Sequence, residues 1–136
     1  MCPPSVAGSV READEVEPVT VVREVLDQLG RRVAARDLEA VLDLYEPDGV
    51  LAGTMGTNVG AEQVRAYVAA VVAADDPLSW EWDDVVAETD GTVIWFLAPG
   101  RIVFGTTRPF RLTGVLRQSG GTWRFAQFHG SIPDGS

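Results

Sequence analysis

The stretch "RLTGVLRQSGGTWRFAQFHGSIP", residues 111–133, decides the fold. It contains two runs in which apolar residues alternate with polar or small ones, a pattern that is typical of β-strands. The runs are separated by "SGGT" at 119–122, where the two glycines indicate a tight turn. The sequence therefore predicts that the chain closes with an antiparallel pair of strands, the second of which carries the only histidine, His129.

Further strands precede this ending. "LSWEWDDVVAET" at 78–89 alternates tryptophan with acidic residues, and the Asp90-Gly91 pair indicates a hairpin into "TVIWFLAP" at 92–99. The segment 101–118, which includes the first strand of the closing pair, is expected to be broken by Gly105 and Pro109.

Helices dominate the first half of the chain. Apolar residues recur at helical spacing from Val22 to Val33 and predict a helix that ends near Ala35. Asp37 is the predicted N-cap of a second, short helix that Pro47 stops. A short strand at 49–53, a loop at 54–60 and a third helix at 60–75 follow. Because helices and strands are segregated, the fold class is α+β, with a curved, mainly antiparallel sheet around three N-terminal helices.

Composition limits the classes of partner. The formal net charge is −9, from 20 acidic and 11 basic residues, which argues against nucleic acid and against an anionic membrane surface. No apolar run is long enough to span a bilayer and no signal peptide is recognisable, so we expect a cytoplasmic protein. One histidine and the single cysteine, Cys2, cannot build a His/Cys metal site, so no metal or cofactor is expected. Residues 1–16 are predicted to be a disordered arm, 17–133 one domain, and 134–136 a tail.

Three segments resemble the SnoaL-like branch of the nuclear transport factor 2-like superfamily: "ARDLEAVLDLYEPDGV" at 35–50, "VGAEQVRAYV" at 59–68, and the ending 111–133. The ending is also similar to that of the association domain of calcium/calmodulin-dependent kinase. The resemblance covers residues 19–133. It implies a cone-shaped, cystatin-like α+β barrel with a pocket inside and a homodimer formed through the outer face of the sheet.

The catalytic and ligand-binding side chains of known family members are missing from this chain. In ketosteroid isomerases the first oxyanion donor matches Leu29, the base matches Gly53 and the second oxyanion donor matches Thr113; of the three, only the threonine hydroxyl could donate, and weakly. The acid of SnoaL-type cyclases matches Phe128, and a pocket arginine of the kinase association domain matches Gly130. These matches argue against isomerase chemistry and lower the expectation of an enzyme.

The same matches assign faces to the last strand. If Ala126, Phe128 and Gly130 face the pocket, strict alternation turns the other side chains toward a partner subunit. That outward set comprises Trp123, Phe125, Gln127 and His129. A β-bulge, for which Gly130 is a candidate position, would reverse the assignment and bring His129 into the pocket.

By this parity the pocket is apolar with a few polar groups, as is usual for a small-molecule site. Arg111 is its most informative member, because a buried guanidinium needs an anionic partner; an arginine on the rim, paired with an acid, is the alternative. The predicted lining is Leu26, Leu29, Tyr45, Met55, Trp95, Leu97, Arg111, Thr113, Val115, Ala126 and Phe128.

Two functions stay open at this stage. The first is a cofactor-independent cyclase, isomerase or hydratase that acts on a hydrophobic, polyketide-like metabolite carrying an anionic or carbonyl group. Its candidate catalytic residues are Arg111, Tyr45 and His129. The second is a non-catalytic ligand-binding or dimerisation module, which accounts for the missing acids.

Overall fold

A computed structural model describes residues 17–53 and 56–133. The predicted arm at 1–16 and tail at 134–136, as well as Met55, lie outside the described residues. The elements in chain order are α1 (Pro18–Ala34), α2 (Leu38–Leu42), β1 (Tyr45–Gly53), β2 (Gly56–Val59), α3 (Gly60–Ala73), β3 (Leu78–Trp82), β4 (Val86–Thr89), β5 (Val93–Phe104), β6 (Thr106–Ser119) and β7 (Thr122–Ser131). The α+β class is confirmed, and β2 forms where a loop was predicted.

The helices follow the sequence pattern closely. α1 buries the five residues that recur at helical spacing, from Val22 to Val33. Asp37 caps α2, because its side chain accepts a hydrogen bond of 3.1 Å from the Ala40 N–H. Pro47 does not end this helix, which finishes at Leu42; the proline lies within β1 instead.

One seven-stranded sheet contains every described strand, in the order β2-β1-β7-β6-β5-β3, with β4 also paired to β5. All pairs are antiparallel except β1 with β7. The predicted break at Gly105 is confirmed: this residue, at φ +77, forms the turn between β5 and β6. Pro109 is accommodated inside β6, opposite Arg101, so the prediction that it interrupts the strand was wrong.

The Asp90-Gly91 pair forms the predicted hairpin between β4 and β5. One carboxylate oxygen of Asp90 accepts hydrogen bonds from the N–H groups of Thr92, at 2.9 Å, and Val93, at 3.1 Å. These bonds to the ionised form lower the pKa of Asp90.

The helices pack against one face of the sheet, here called the inner face. Directly paired residues share a face, and Phe96, Gly114 and Phe128 lie side by side across β5, β6 and β7 on the inner one. The buried inner-face residues of these strands are Ile94, Phe96, Ala98, Phe110, Leu112, Leu116, Phe125 and Phe128. Together with the apolar faces of α1 and α3 they form the hydrophobic core.

A β-bulge in β7 breaks the predicted alternation. Leu116 is opposite Phe125, but Val115 is opposite Gln127, so Ala126 is an extra residue without a partner in β6. Both Phe125, which is 1% exposed, and Phe128 consequently face the core. The prediction that Phe125 faces outward was therefore wrong. The bulge lies at Ala126 and not at Gly130.

Candidate ligand cavity

A cavity of about 60 Å³ lies between the helices and the inner face of the sheet. All three helices, together with strands β1, β3, β5, β6 and β7, contribute to its wall. The lining residues are Leu29, Val33, Val41, Tyr45, Leu51, Gly53, Tyr67, Val68, Val71, Leu78, Trp80, Ile102, Phe110, Phe128 and Gly130. We call this space the inner compartment.

A second space of about 170 Å³ adjoins the first and shares four of its residues. The shared residues are Tyr67, Val71, Leu78 and Ile102. Ala70 of α3, Ala74 directly after that helix and the half-exposed Phe104 of β5 complete the wall of this outer compartment. The two compartments therefore form one apolar channel that enters the protein between α3 and the ends of β3 and β5.

Uncharged groups provide all the polar chemistry of the described wall. They are the hydroxyls of Tyr45 and Tyr67 and the indole nitrogen of Trp80. Trp80 Nε1 is buried and has no hydrogen-bond partner among the described residues. No hydrogen bond joins either phenol to another described residue. Within the described part of the chain the channel therefore has three donors without a partner, and a ligand with acceptor atoms would match them.

Tyr45 lies at the inner end of the cavity among aromatic rings. Its ring centroid is 5.2 Å from that of Phe125 and 5.9 Å from that of Phe128, within the range of favourable aromatic contacts. Burial, and secondarily the nearby Tyr67, raises the pKa of the Tyr45 phenol. The hydroxyl therefore stays protonated near neutral pH and acts as a donor rather than a base.

Tyr67 extends from α3 toward the end of β1. A Cβ atom on Gly53 would clash with this hydroxyl and would lie only 2.9 Å from the ring atom Cζ. The absence of a side chain at Gly53 is therefore what admits the phenol. Burial raises the pKa of Tyr67 as well, so this hydroxyl is a second neutral donor.

Three of the predicted lining residues do line the cavity: Leu29, Tyr45 and Phe128. Leu26 is buried in the core but does not border the cavity, and Met55 lies outside the described residues. Ala126, the bulge residue, does not line it either.

The remaining five predicted lining residues lie on the opposite, outer face of the sheet. Thr113 is paired with His129, Val115 with Gln127 and Arg111 with Ser131. Trp95 and Leu97 are paired with Val115 and Thr113 and share their face. The prediction that these five side chains line the pocket was wrong, because the bulge at Ala126 shifts the alternation of β7 by one residue relative to β6.

The two charged candidates are consequently remote from the cavity. Arg111 is exposed, and no ion pair joins it to another described residue. His129 is exposed, and its Nδ1 is 3.5 Å from the Thr113 hydroxyl. Neither side chain can reach a molecule bound between the helices and the sheet.

Sequence reasoning did not assign Tyr67 and Trp80 to the site, although both lie on predicted apolar faces. Tyr67 belongs to the inward face of α3, and Trp80 lies between Ser79 and Glu81 in β3. Their polar atoms distinguish them from the aliphatic residues around them. That signal, a polar-tipped aromatic on a core-facing position, was available in the sequence.

A second cleft, beside α2 and α3, shares Tyr45 with the cavity and has Glu39, Glu46 and Glu62 in its wall. Glu39 is paired with Arg65, and the buried Glu46 is paired with Arg117 at 3.4 Å.

Within residues 17–53 and 56–133 no cluster of three side chains is suited to hold a metal ion. None of the helices in that part of the chain is long and apolar enough to cross a membrane.

The curved sheet, the helices packed on its inner face and the enclosed apolar channel define a cystatin-like α+β protein. The chain belongs to the SnoaL-like domain family, whose model matches residues 22–135. A search of curated proteins found no match.

Solved structures of NTF2-like proteins have the same fold at low sequence identity. A candidate dehydratase of the NTF2-like family from Streptomyces avermitilis has a TM-score of 0.77 and 16% identity, over 90% of this chain and 97% of that one. An NTF2-like protein with a cystatin-like fold from Novosphingobium aromaticivorans has a TM-score of 0.75 and 19% identity, over 98% and 93%. A candidate calcium/calmodulin-dependent protein kinase II association domain from Xanthomonas campestris has a TM-score of 0.73 and 19% identity, over 85% and 87%.

Proposed function

We propose that the protein binds a small, neutral and largely apolar molecule in the channel between α3 and the sheet. One observation carries the proposal: among the described residues the wall is apolar and its polar groups are all uncharged, and a buried donor in it, Trp80 Nε1, has no hydrogen-bond partner. A charged ligand would lose its hydration there without gaining a counter-charge, so neutral molecules are favoured. A cavity of about 150 Å³ suffices for one aromatic ring, which makes the outer compartment large enough for a ring-sized ligand.

A catalytic role is the second proposal, as a cofactor-independent cyclase, isomerase or hydratase of a polyketide-like metabolite. The likeness to a candidate dehydratase favours it, and phenols that stay protonated can polarise a substrate carbonyl. Such reactions also need a proton acceptor, and the described wall contains neither a carboxylate nor an imidazole. Binding without chemistry is therefore the function that the geometry supports best.

The binding proposal is tested by titrating the protein with acetophenone and, separately, with benzoate in a calorimeter. We expect saturable binding of the neutral ketone and at least tenfold weaker binding of the anion. Ala70→Trp should abolish binding by filling the outer compartment, whereas Ala66→Trp, one turn earlier on α3 and outside the wall, should not. Equal binding by the two variants would contradict the proposed site.

We also propose that a second copy of the chain docks on the outer face of the sheet. Val86 and Trp95 are 59% and 46% exposed there, and Leu97 and Val115 extend the apolar surface. Exposed apolar patches on soluble domains commonly mark interfaces. Gln127 and His129 of the predicted interface lie on this face, whereas Phe125 faces the core and Trp123 packs against it.

The charges of this face suit a self-complementary contact. Glu88 of β4 and Arg111 of β6 both point outward, and no ion pair joins either of them to another described residue. In a two-fold dimer the same surface meets itself in reverse, so the acidic side of one copy faces the basic side of the other. This arrangement would pair the two charges across the interface.

A further inference from the structure

We propose that Tyr67 determines ligand specificity, because its ring separates the two compartments and its hydroxyl is the donor that selects a neutral ligand with a carbonyl-type acceptor oxygen. The inference rests on the proposed binding function and assigns the selection to one residue. It limits the ligand in two ways, by its length and by the position of its acceptor oxygen.

Four residues border both compartments, and Tyr67 is the largest of them and the only one with a polar side chain. Tyr67 borders both compartments, whereas Tyr45 and Trp80 border only the inner one. At about 60 Å³ the inner compartment is too small for an aromatic ring, while the outer one, at about 170 Å³, holds one. A ring in the outer compartment therefore meets Tyr67 first among the three donors.

Gly53 determines where the donor, the Tyr67 hydroxyl, can lie. The Tyr67 hydroxyl lies so close to Gly53 that a Cβ atom there would clash with it, so the glycine leaves room for the phenol at the end of β1. Because burial raises the pKa of this phenol, it remains protonated and can donate, while Val71, Leu78 and Ile102 around it offer no competing polar side chain. A bound carbonyl oxygen would satisfy the donor; a hydrocarbon of the same shape would leave it unpaired, which lowers affinity.

Two probes of the same shape isolate the hydrogen bond. Acetophenone carries a C=O group where α-methylstyrene carries C=CH₂, so the pair differs in the acceptor and little in size. For the wild-type protein we expect acetophenone to bind about tenfold more tightly, the effect of one net hydrogen bond. Tyr67→Phe should remove this preference by weakening acetophenone alone.

Gly53→Ala tests whether the glycine positions the Tyr67 hydroxyl, without changing the phenol itself. The added Cβ would displace the Tyr67 hydroxyl, so we expect this variant to lose the preference as well. Gly30→Ala is the matched control, since no atom lies within 4 Å of a Cβ at that helical position. Thermal unfolding of each variant shows that the comparison is made between folded proteins.

The two-ring ketone 2-acetonaphthone tests the partition. Tyr67→Ala widens the connection between the compartments, so we expect it to bind this ketone at least tenfold more tightly than the wild type does.

Different outcomes overturn different statements. If the wild type binds neither acetophenone nor α-methylstyrene, the proposed function fails. If it binds both equally, or if the preference survives in Tyr67→Phe or Gly53→Ala, the binding function stands and the role of Tyr67 is refuted. Failure of Tyr67→Ala to admit the larger ketone would refute the partition.

Discussion

Thr113 and His129 lie opposite each other on the outer face of β6 and β7, with 3.5 Å between the threonine hydroxyl and Nδ1 of the imidazole. The adjacent residue, Phe128, faces the cavity. The backbone of β7 thus separates the histidine from any ligand bound inside.

His129→Ala should therefore leave ligand binding intact. We expect the dissociation constant of acetophenone to change less than twofold, as measured by calorimetry, because the imidazole does not border the channel. A loss of tenfold or more in this variant, with unchanged thermal unfolding, would contradict the assignment of the cavity to the inner face.

The alkaline limit of stability should depend on the tyrosines. Burial raises the pKa of Tyr45 above the ordinary value of 10.0. Above that value the unfolded chain loses a proton that the folded protein keeps, so the free energy of unfolding falls as pH rises. Below about pH 10 the contribution of the buried Tyr45 phenol to the free energy of unfolding is fully present.

All 11 basic residues are arginines, so no lysine titrates in the same range. Tyr45→Phe should make the free energy of unfolding fall less steeply from about pH 10 to about pH 12, as measured by urea denaturation at several pH values. Identical slopes for the variant and the wild type would contradict a buried, neutral Tyr45.

The outer face should control self-association. Trp95→Glu places a charge in the middle of the proposed interface, so light scattering should report a monomer where the wild type forms a dimer. Phe104→Glu is the matched control, because Phe104 is 49% exposed but belongs to the wall of the outer compartment. A monomeric wild type, or a dimer that persists in Trp95→Glu, would refute the proposed interface.

Two glycine substitutions should have opposite effects on stability. A Cβ at Gly114 would lie 2.7 Å from the Gln127 carbonyl oxygen and 2.8 Å from Cζ of Phe96, so Gly114→Ala should destabilise the protein by about 1–3 kcal/mol. Gly30→Ala, inside α1 with open space around it, should stabilise by about 0.5–1 kcal/mol. Chemical denaturation measures both changes, and an equal effect of the two would contradict the packing described around Gly114.

The sequence was sufficient to predict the helices and the hairpins, because the residues that specify them are close together in the chain. Asp37 caps α2 through a residue three positions away, and Asp90 organises a turn within its own hairpin. The segregation of these elements along the chain was also enough to predict an α+β fold.

The lining of the cavity depended on the register between β6 and β7, which is not a local property. The two-residue turn at Gly120 and Gly121 pairs Ser119 with Thr122. If that register continued without interruption, it would pair Thr113 with Phe128. Thr113 and Arg111 would then both lie on the inner face of the sheet. The bulge at Ala126 instead pairs Phe128 with Gly114, and nothing in the composition of "FAQF" distinguishes a bulged strand from a regular one.

The alternation within β6 itself was more informative than the matches to known active sites. Phe110, Leu112 and Leu116 are buried, while Arg111 and Arg117 are exposed. Matching Thr113 to a catalytic position of related enzymes favoured the wrong face. The polarity of the strand, considered alone, indicates the right one.

The bulge has a consequence for comparing chain lengths. Ala126 has no partner in β6, so a variant lacking this one residue would keep Phe125 and Phe128 inside and Gln127 and His129 outside. Removal of any other single residue between Arg124 and His129 would also remove the bulge, but it would place a different set of side chains at the inner and outer positions. A relative with one residue fewer here can therefore keep the same cavity, and an alignment without a gap at Ala126 would misassign the faces on one side of it.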